Sequence, residues 1–244
     1  MHDPNFTLIE HFAPWPRQPN LRMVSTRFDH APLSPQDWLR QGITLPSSLN
    51  KASHKRRAEF LAGRVCARHA LLLLTGQEYV PNIGQDRAPL WPPDHQGNAI
   101  VGSITHSDNW AAAIVGSQQQ FLGVGIDTER YLSNEDGQKL AGTLLTTNER
   151  ERLNGLTAEQ FALMVTLIFS LKESLFKALY PLVGKRFYFE SAELVAWDFT
   201  LGTARLRLLR NLDHKWVIGR EFNAQFCQLD GHFMTLLAIA APAK

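Results

Sequence analysis

The stretch GVGIDTER, residues 123–130, ends an apolar, glycine-punctuated run with two carboxylates, Asp127 and Glu129. On an extended strand, positions two apart point to the same side, so both acids lie in one another's field. Like charges that close repel unless a proton or a cation sits between them. Working upstream, FLGVGID is the third of three short strand-like runs, after AIVGSITHS and WAAAIVG, with SDN and SQQQ between them. That order predicts a meander.

Further upstream, residues 53–75 carry good helix formers with apolar positions at Phe60, Leu61, Val65, Ala67, Leu71 and Leu72, the recurrence of an amphipathic helix ending at Gly76. Residues 1–50 are Pro-rich and irregular, with two expected strands (FTLIEHF and LRMVSTRF) and a short helix at SPQDWLRQ capped by Ser34. Residues 81–98 read as a long loop with short extended pieces. Downstream, residues 131–145 read as a loop, Thr146 or Thr147 starts a helix over NERERL, and AEQFALMVTLIFSLKESLFKAL is a long apolar-faced helix stopped by Pro181. FYFESAELVAW, ARLRLLR, KWVIGREF, AQFCQL and HFMTLLAIA follow as strands, with LDGH a hairpin turn. Helix and strands followed by helix and strands predict an α+β chain of two similar halves, residues 1–120 and 121–244, that share an interface.

Bulk composition narrows the function classes. With 244 residues, 44% of them hydrophobic and 20% charged, the chain can bury a full core. A net charge of +2 is too small to announce a nucleic-acid or membrane surface, but six basic residues between 51 and 70 (Lys51, Lys55, Arg56, Arg57, Arg64, Arg68) against Glu59 concentrate positive charge there, a candidate anion site. Two cysteines without C-x-x-C spacing argue against zinc or redox chemistry and fit a reducing compartment. The opening MHDPNFTLIEHFAPWP lacks the basic start and unbroken apolar core of a secretory leader, and no run reaches a membrane span, so a cytoplasmic location is expected.

Chemistry concentrates in FSLKESLFKAL, residues 169–179. On a helix, Glu173 and Lys177 are i,i+4 neighbours and Lys172 is turned roughly 100° away from Glu173. Alone, such a pair is most often a surface ion pair worth about 0.3–0.5 kcal/mol. Set beside Asp127 and Glu129, a third carboxylate makes an all-oxygen site for a hard divalent cation such as Mg²⁺. The cation would then divide the Asp127/Glu129 pair.

GIDTE followed downstream by F-S-L-K-E-S-L-F-K resembles the paired signature motifs of the 4′-phosphopantetheinyl transferases of the surfactin and enterobactin synthetase type, with Phe169 where many relatives have Trp. HKRRAEFLAGR (54–64), DRAPLW (86–91) and SITHSDNWAAAIV (103–115) extend the similarity over most of residues 50–180, and the chain looks nearest to the enterobactin-type branch. The resemblance implies a pseudo-twofold fold with the active site between its halves. It also implies transfer of the phosphopantetheine arm of coenzyme A to a carrier-protein serine, with Mg²⁺, releasing adenosine 3′,5′-bisphosphate. Asp127 and Glu173 would hold the metal, with Glu129 a third ligand or the holder of a metal-bound water. Glu173, or a water it orients, would accept the serine proton, and Lys177 would steady the leaving oxygen, with Lys172 a further phosphate contact. Arg57, Arg64 and Arg87 would hold the 3′-phosphate or adenine, and Ser103, Thr105 and His106 the phosphate oxygens. Apo acyl, aryl or peptidyl carriers of fatty-acid, polyketide, or peptide and siderophore assembly are the expected partners of a monomer without nucleic-acid contacts. The rivals are a metal-dependent nucleotide pyrophosphate hydrolase, which would need no protein acceptor, and a non-catalytic coenzyme A or carrier-binding module, which would have no use for the lysine and carboxylates.

Overall fold

The structure, a computed structural model, describes residues 6–10 (backbone), 18, 20–84 and 86–242. The end of the expected first strand, at His11 and Phe12, and most of the stretch read for a leader lie outside them. The chain divides into two units, Met1–Gln120 and Phe121–Lys244.

In the first unit, β1 (Phe6–Glu10) and β2 (Arg22–Phe28) precede a short helix, α1 (Pro35–Arg40), with Ser34 at its N-cap. The long helix α2 (His54–Thr75) starts where Ser53 Oγ accepts from the Arg56 amide and stops at Gly76, whose φ of 75° is open to glycine. A two-residue hairpin, β3 (Asn82–Ile83) with β4 (Pro89–Leu90), occupies the expected loop. β5 (Ile100–Ser107) and β6 (Trp110–Ser117) complete an antiparallel sheet in the order β1-β2-β6-β5. Helix α2 meets it through small residues: a Cβ on Gly63 would come within 2.8 Å of Ile104 Cγ2, and Ala58, Ala62, Ala67, Ala111 and Ala113 fill the contact. Small side chains there let helix and sheet approach closely.

The second unit opens with β7 (Phe121–Arg130), the strand of the GVGID stretch. It is followed by α3 (Asn134–Leu144), α4 (Thr147–Arg152) and α5 (Ala158–Val183). Four strands come next: β8 (Ala192–Asp198), β9 (Thr203–Leu208), β10 (Glu221–Leu229) and β11 (His232–Ala240). The sheet is antiparallel, in the order β7-β11-β10-β9-β8. Asp230 and Gly231, both at positive φ, turn β10 into β11, as LDGH predicts. Leu167, Ile168, Leu171, Leu175 and Leu179 of α5 form the core with Leu206, Phe226, Phe233 and Leu237. The chain is therefore α+β with antiparallel sheets, one long helix packed on each.

Four local expectations are corrected. β7 pairs with β11, not with β6, so the three strands are not a meander; long-range pairing decides against the local order. Helix α5 runs through Pro181 to Val183 and ends at Gly184, whose amide bonds the Tyr180 carbonyl and whose φ is 68°. A proline in the last turn removes one donor without preventing that glycine cap. Within residues 131–145, expected as a loop, Asn134–Leu144 is a helix capped by Ser133 Oγ. KWVIGREF contributes only its last two residues to a strand, because Asp213 Oδ1 accepts from the Lys215 and Trp216 amides and Asn211 Oδ1 from that of Ile218. Those side-chain acceptors hold the segment in turns instead of a ladder.

Candidate active site

The glycines of GVGID are explained by what lies across from them. A Cβ on Gly125 would sit 1.9 Å from the Ser174 carbonyl oxygen, and one on Gly123 would sit 2.3 Å from that of Ala178. Both contacts are to helix backbone, which cannot rotate away, so only hydrogen fits and α5 lies directly on β7. Hydroxyls tie the same face to β11. Thr235 Oγ1, in register with Asp127, lies 2.9 Å from Ser170 Oγ and 2.7 Å from Ser174 Oγ, and donates to the Ser170 carbonyl at 3.0 Å.

Alternation along β7 then carries Asp127 to the α5 face, one pleat beyond Gly125. Its carboxylate is buried, and Oδ1 accepts from Lys177 Nζ at 2.7 Å; the same ammonium reaches the Ile126 carbonyl at 3.2 Å. Glu173, one helical turn before Lys177, is half-buried. Burial holds the Glu173 carboxyl above the usual carboxylate range; Lys177 draws it down and the Asp127 charge pushes it further up. The two acids therefore feel each other, with one lysine between them in charge. Glu129, half-buried, follows one pleat after Asp127 and faces Phe233 across the ladder.

Among the described residues, no three His, Cys, Asp or Glu side chains form a group that could hold a metal ion. The expected three-carboxylate set is thus not drawn together; the positive charge beside Asp127 is the Lys177 ammonium. Asp127 and Glu173 nevertheless fit a Mg²⁺ ion, which usually takes one or two protein carboxylates and completes its shell with phosphate and water oxygens. A cation would relieve both the burial and the mutual repulsion that raise the proton affinity of Glu173.

Lys172 Nζ is buried, donating to Glu149 Oε2 at 2.7 Å and the Leu144 carbonyl at 2.8 Å, an ion pair inside the unit. Glu173 itself lines an open cavity of about 150 Å³, with Lys172, Arg186, Leu175, Phe176, Phe187, Tyr188 and Phe189 around it. Sequence reasoning missed these walls; the aromatic cluster FYF after Gly184 was their only local signal.

In the first unit, His106 Nε2 lies 2.8 Å from Arg56 Nη1 and its Nδ1 lies 3.7 Å from Glu59 Oε2. Since the guanidinium can only donate, Nε2 accepts and the ring proton sits on Nδ1. Arg56 and Glu59, three apart on α2, were not singled out as partners of His106. Ser103 and Thr105 do not join it. Ile104 and His106 face α2, so by alternation the two buried hydroxyls occupy the opposite side of β5. Arg57 donates to the Leu49 and Asn50 carbonyls, bracing the turn before α2. Arg64 is buried with its guanidinium 4.8 Å from the Phe60 ring centre; burial, helped by Arg56, lowers its pKa to about 10. Arg87 is exposed in the β3–β4 turn at a φ of 71°.

Residues 45–116 match the 4′-phosphopantetheinyl transferase N-terminal domain, and residues 123–227 match the 4′-phosphopantetheinyl transferase superfamily. Enterobactin synthase component D of Salmonella typhi is 40% identical over 130 residues, 53% of this chain and 51% of that protein. The chain thus spans about half the length of that relative. It covers more of two others: 76% of the 4′-phosphopantetheinyl transferase Svp of Streptomyces mobaraensis, at 38% identity over 79% of this chain, and 67% of the Escherichia coli K12 enterobactin synthase component D, at 40% identity over 62%. The two matched segments contain the Arg56–Glu59–His106 cluster and the Asp127–Glu173–Lys177 cluster respectively, and with the extent of the Svp match they place this chain in the 4′-phosphopantetheinyl transferase superfamily.

Proposed function

We propose that the chain transfers 4′-phosphopantetheine from coenzyme A to a serine hydroxyl of an apo carrier protein, with Mg²⁺ bound at Asp127 and Glu173, and releases adenosine 3′,5′-bisphosphate. The observation that carries this reading is the meeting of Asp127, Glu173 and Lys177 where α5 lies on the glycines of β7. Family membership and the names of the relatives support it.

The serine oxygen forms a bond to the phosphorus that carries the pantetheine arm, and the bond from that phosphorus to the bridging oxygen breaks. The bridging oxygen leaves with the nucleotide. Glu173 takes the hydroxyl proton directly or through a water that it orients. Lys177 steadies charge on the leaving oxygen. Mg²⁺ held by Asp127 and Glu173 would supply Lewis-acid neutralisation of the phosphoryl oxygens. Glu129 would serve as a further ligand to it, directly or through water. The aromatic walls beside Glu173 suit the methylenes of the uncharged pantetheine chain. Arg56 and His106, with Arg57, Arg64 and Arg87, are assigned to the phosphates at the nucleotide end, where guanidinium groups bind in a bidentate manner. Carriers of siderophore and peptide assembly are the favoured acceptors, with fatty-acid and polyketide carriers next.

Incubation with coenzyme A, Mg²⁺ and a panel of apo carriers, read by intact mass, tests the proposal. One carrier gaining a single phosphopantetheine arm is the expected result. Cleavage of coenzyme A with no carrier modified would make the protein a pyrophosphate hydrolase instead.

A further inference from the structure

Lys172 and Glu173 are successive residues of α5, so their side chains leave the helix about 100° apart. Whatever fixes the first fixes the second. Lys172 is held by the ends of two other helices, through the Leu144 carbonyl at the close of α3 and Glu149 of α4. Glu149 is itself fully engaged: Oε2 also accepts from the Thr146 amide at 2.8 Å, and Oε1 accepts from the Leu194 amide of β8 at 2.7 Å. Behind it, Glu193 of β8 accepts from Asn148 and Arg152 of α4 and from Arg207 of β9. Lys172 and Glu149 are 3% and 2% exposed. A buried ion pair of this kind gains little stability over well-packed apolar side chains, but its fixed donors and acceptors admit one orientation.

We propose that Glu149 is a positioning residue for the transfer reaction: by anchoring the Lys172 ammonium it sets the rotation of α5 that presents Glu173 to Asp127. This rests on the reaction proposed above. It also gives the K-E pair of the FSLKES motif two different duties, an anchor inside the unit and a reacting group beside Asp127. The Lys172 stem forms part of the wall of the aromatic cavity, so the rival to be tested is direct contact with coenzyme A.

Two variants separate these possibilities. Lys172→Met removes the ammonium but strands a buried carboxylate, whereas Glu149→Gln with Lys172→Met removes both charges and keeps an acceptor for one of the two backbone amides that Glu149 receives. Kinetics per folded molecule and amide exchange over residues 171–175 are the readouts, with coenzyme A affinity measured by calorimetry. Both variants should lower kcat about ten-fold or more, as a small misplacement of a reacting group does. KM and calorimetric affinity for coenzyme A should stay within about two-fold, since uniform binding is untouched. Exchange over 171–175 should quicken in both variants, while the double variant, which buries no unpaired charge, melts higher than Lys172→Met alone. A coenzyme A affinity that collapses with kcat held would make Lys172 a substrate contact and overturn the proposal. So would a double variant with parental kcat and parental exchange. Failure of the parent itself to load any carrier would sink the proposed reaction, and exchange with calorimetry would still decide the anchoring role.

Discussion

Glu173 stands at a point where stability and function oppose each other. Its pKa lies above the ordinary glutamate range, chiefly through burial, so ionising it costs the folded state more than the unfolded chain. The cost is absent below the unfolded pKa, where both states hold the proton, and grows as pH rises through the window up to the folded pKa. Glu173→Gln should therefore melt at or above the parent temperature at neutral pH, with the gain vanishing in acid, and should lose about 10²-fold or more of carrier loading. A variant that melts higher yet still loads carrier at the parental rate would remove Glu173 from the chemistry. Asp127, Glu173 and Lys177 were legible as a group because a strand period and a helix period each set them on one face. The partner of Lys172 was not legible: periodicity says which way a residue departs from its helix, but not that Glu149 waits there.

The elements divide along the same line. Helices α2 and α5 could be read from their apolar recurrence, and the end of α2 from Gly76; the end of α5 at Gly184 was hidden behind Pro181. Helix α3 could not, because it buries only Gly137, Ala141 and Leu144 and offers no apolar stripe, although Ser133 and two acids in its first turn were a usable start signal. Around β8 a buried charge has its own pH signature. Burial raises the proton affinity of Glu193, but hydrogen bonds from Arg207 and Asn148 and the charge of Arg152 outweigh it, and the net pKa is lowered. Its contribution to stability is present above the unfolded glutamate pKa and is lost as pH falls through the folded value. Thermal melts across that acidic window should show a decline that Glu193→Gln flattens; an equal slope in both proteins would assign the acid sensitivity to other carboxylates.

For the molecule as a whole, the α+β class followed from the alternation of helix and strand runs, but the pairing of β7 with β11 did not, since nothing local to residues 121–130 names a partner more than a hundred residues away. Among the described residues no helix is long and apolar enough to cross a membrane. Metal dependence is a property to be read on the intact protein: EDTA should stop carrier loading and added Mg²⁺ should restore it, with the melting curve of the protein alone little changed by either. Unimpaired loading in chelator would remove the cation from the reaction. One inheritance follows from the backbone contacts of Gly123 and Gly125. Every missense change of a glycine codon brings at least one new carbon, so neither position has a neutral neighbour in the genetic code, and a deep mutational scan scored by carrier loading should find both columns empty of survivors.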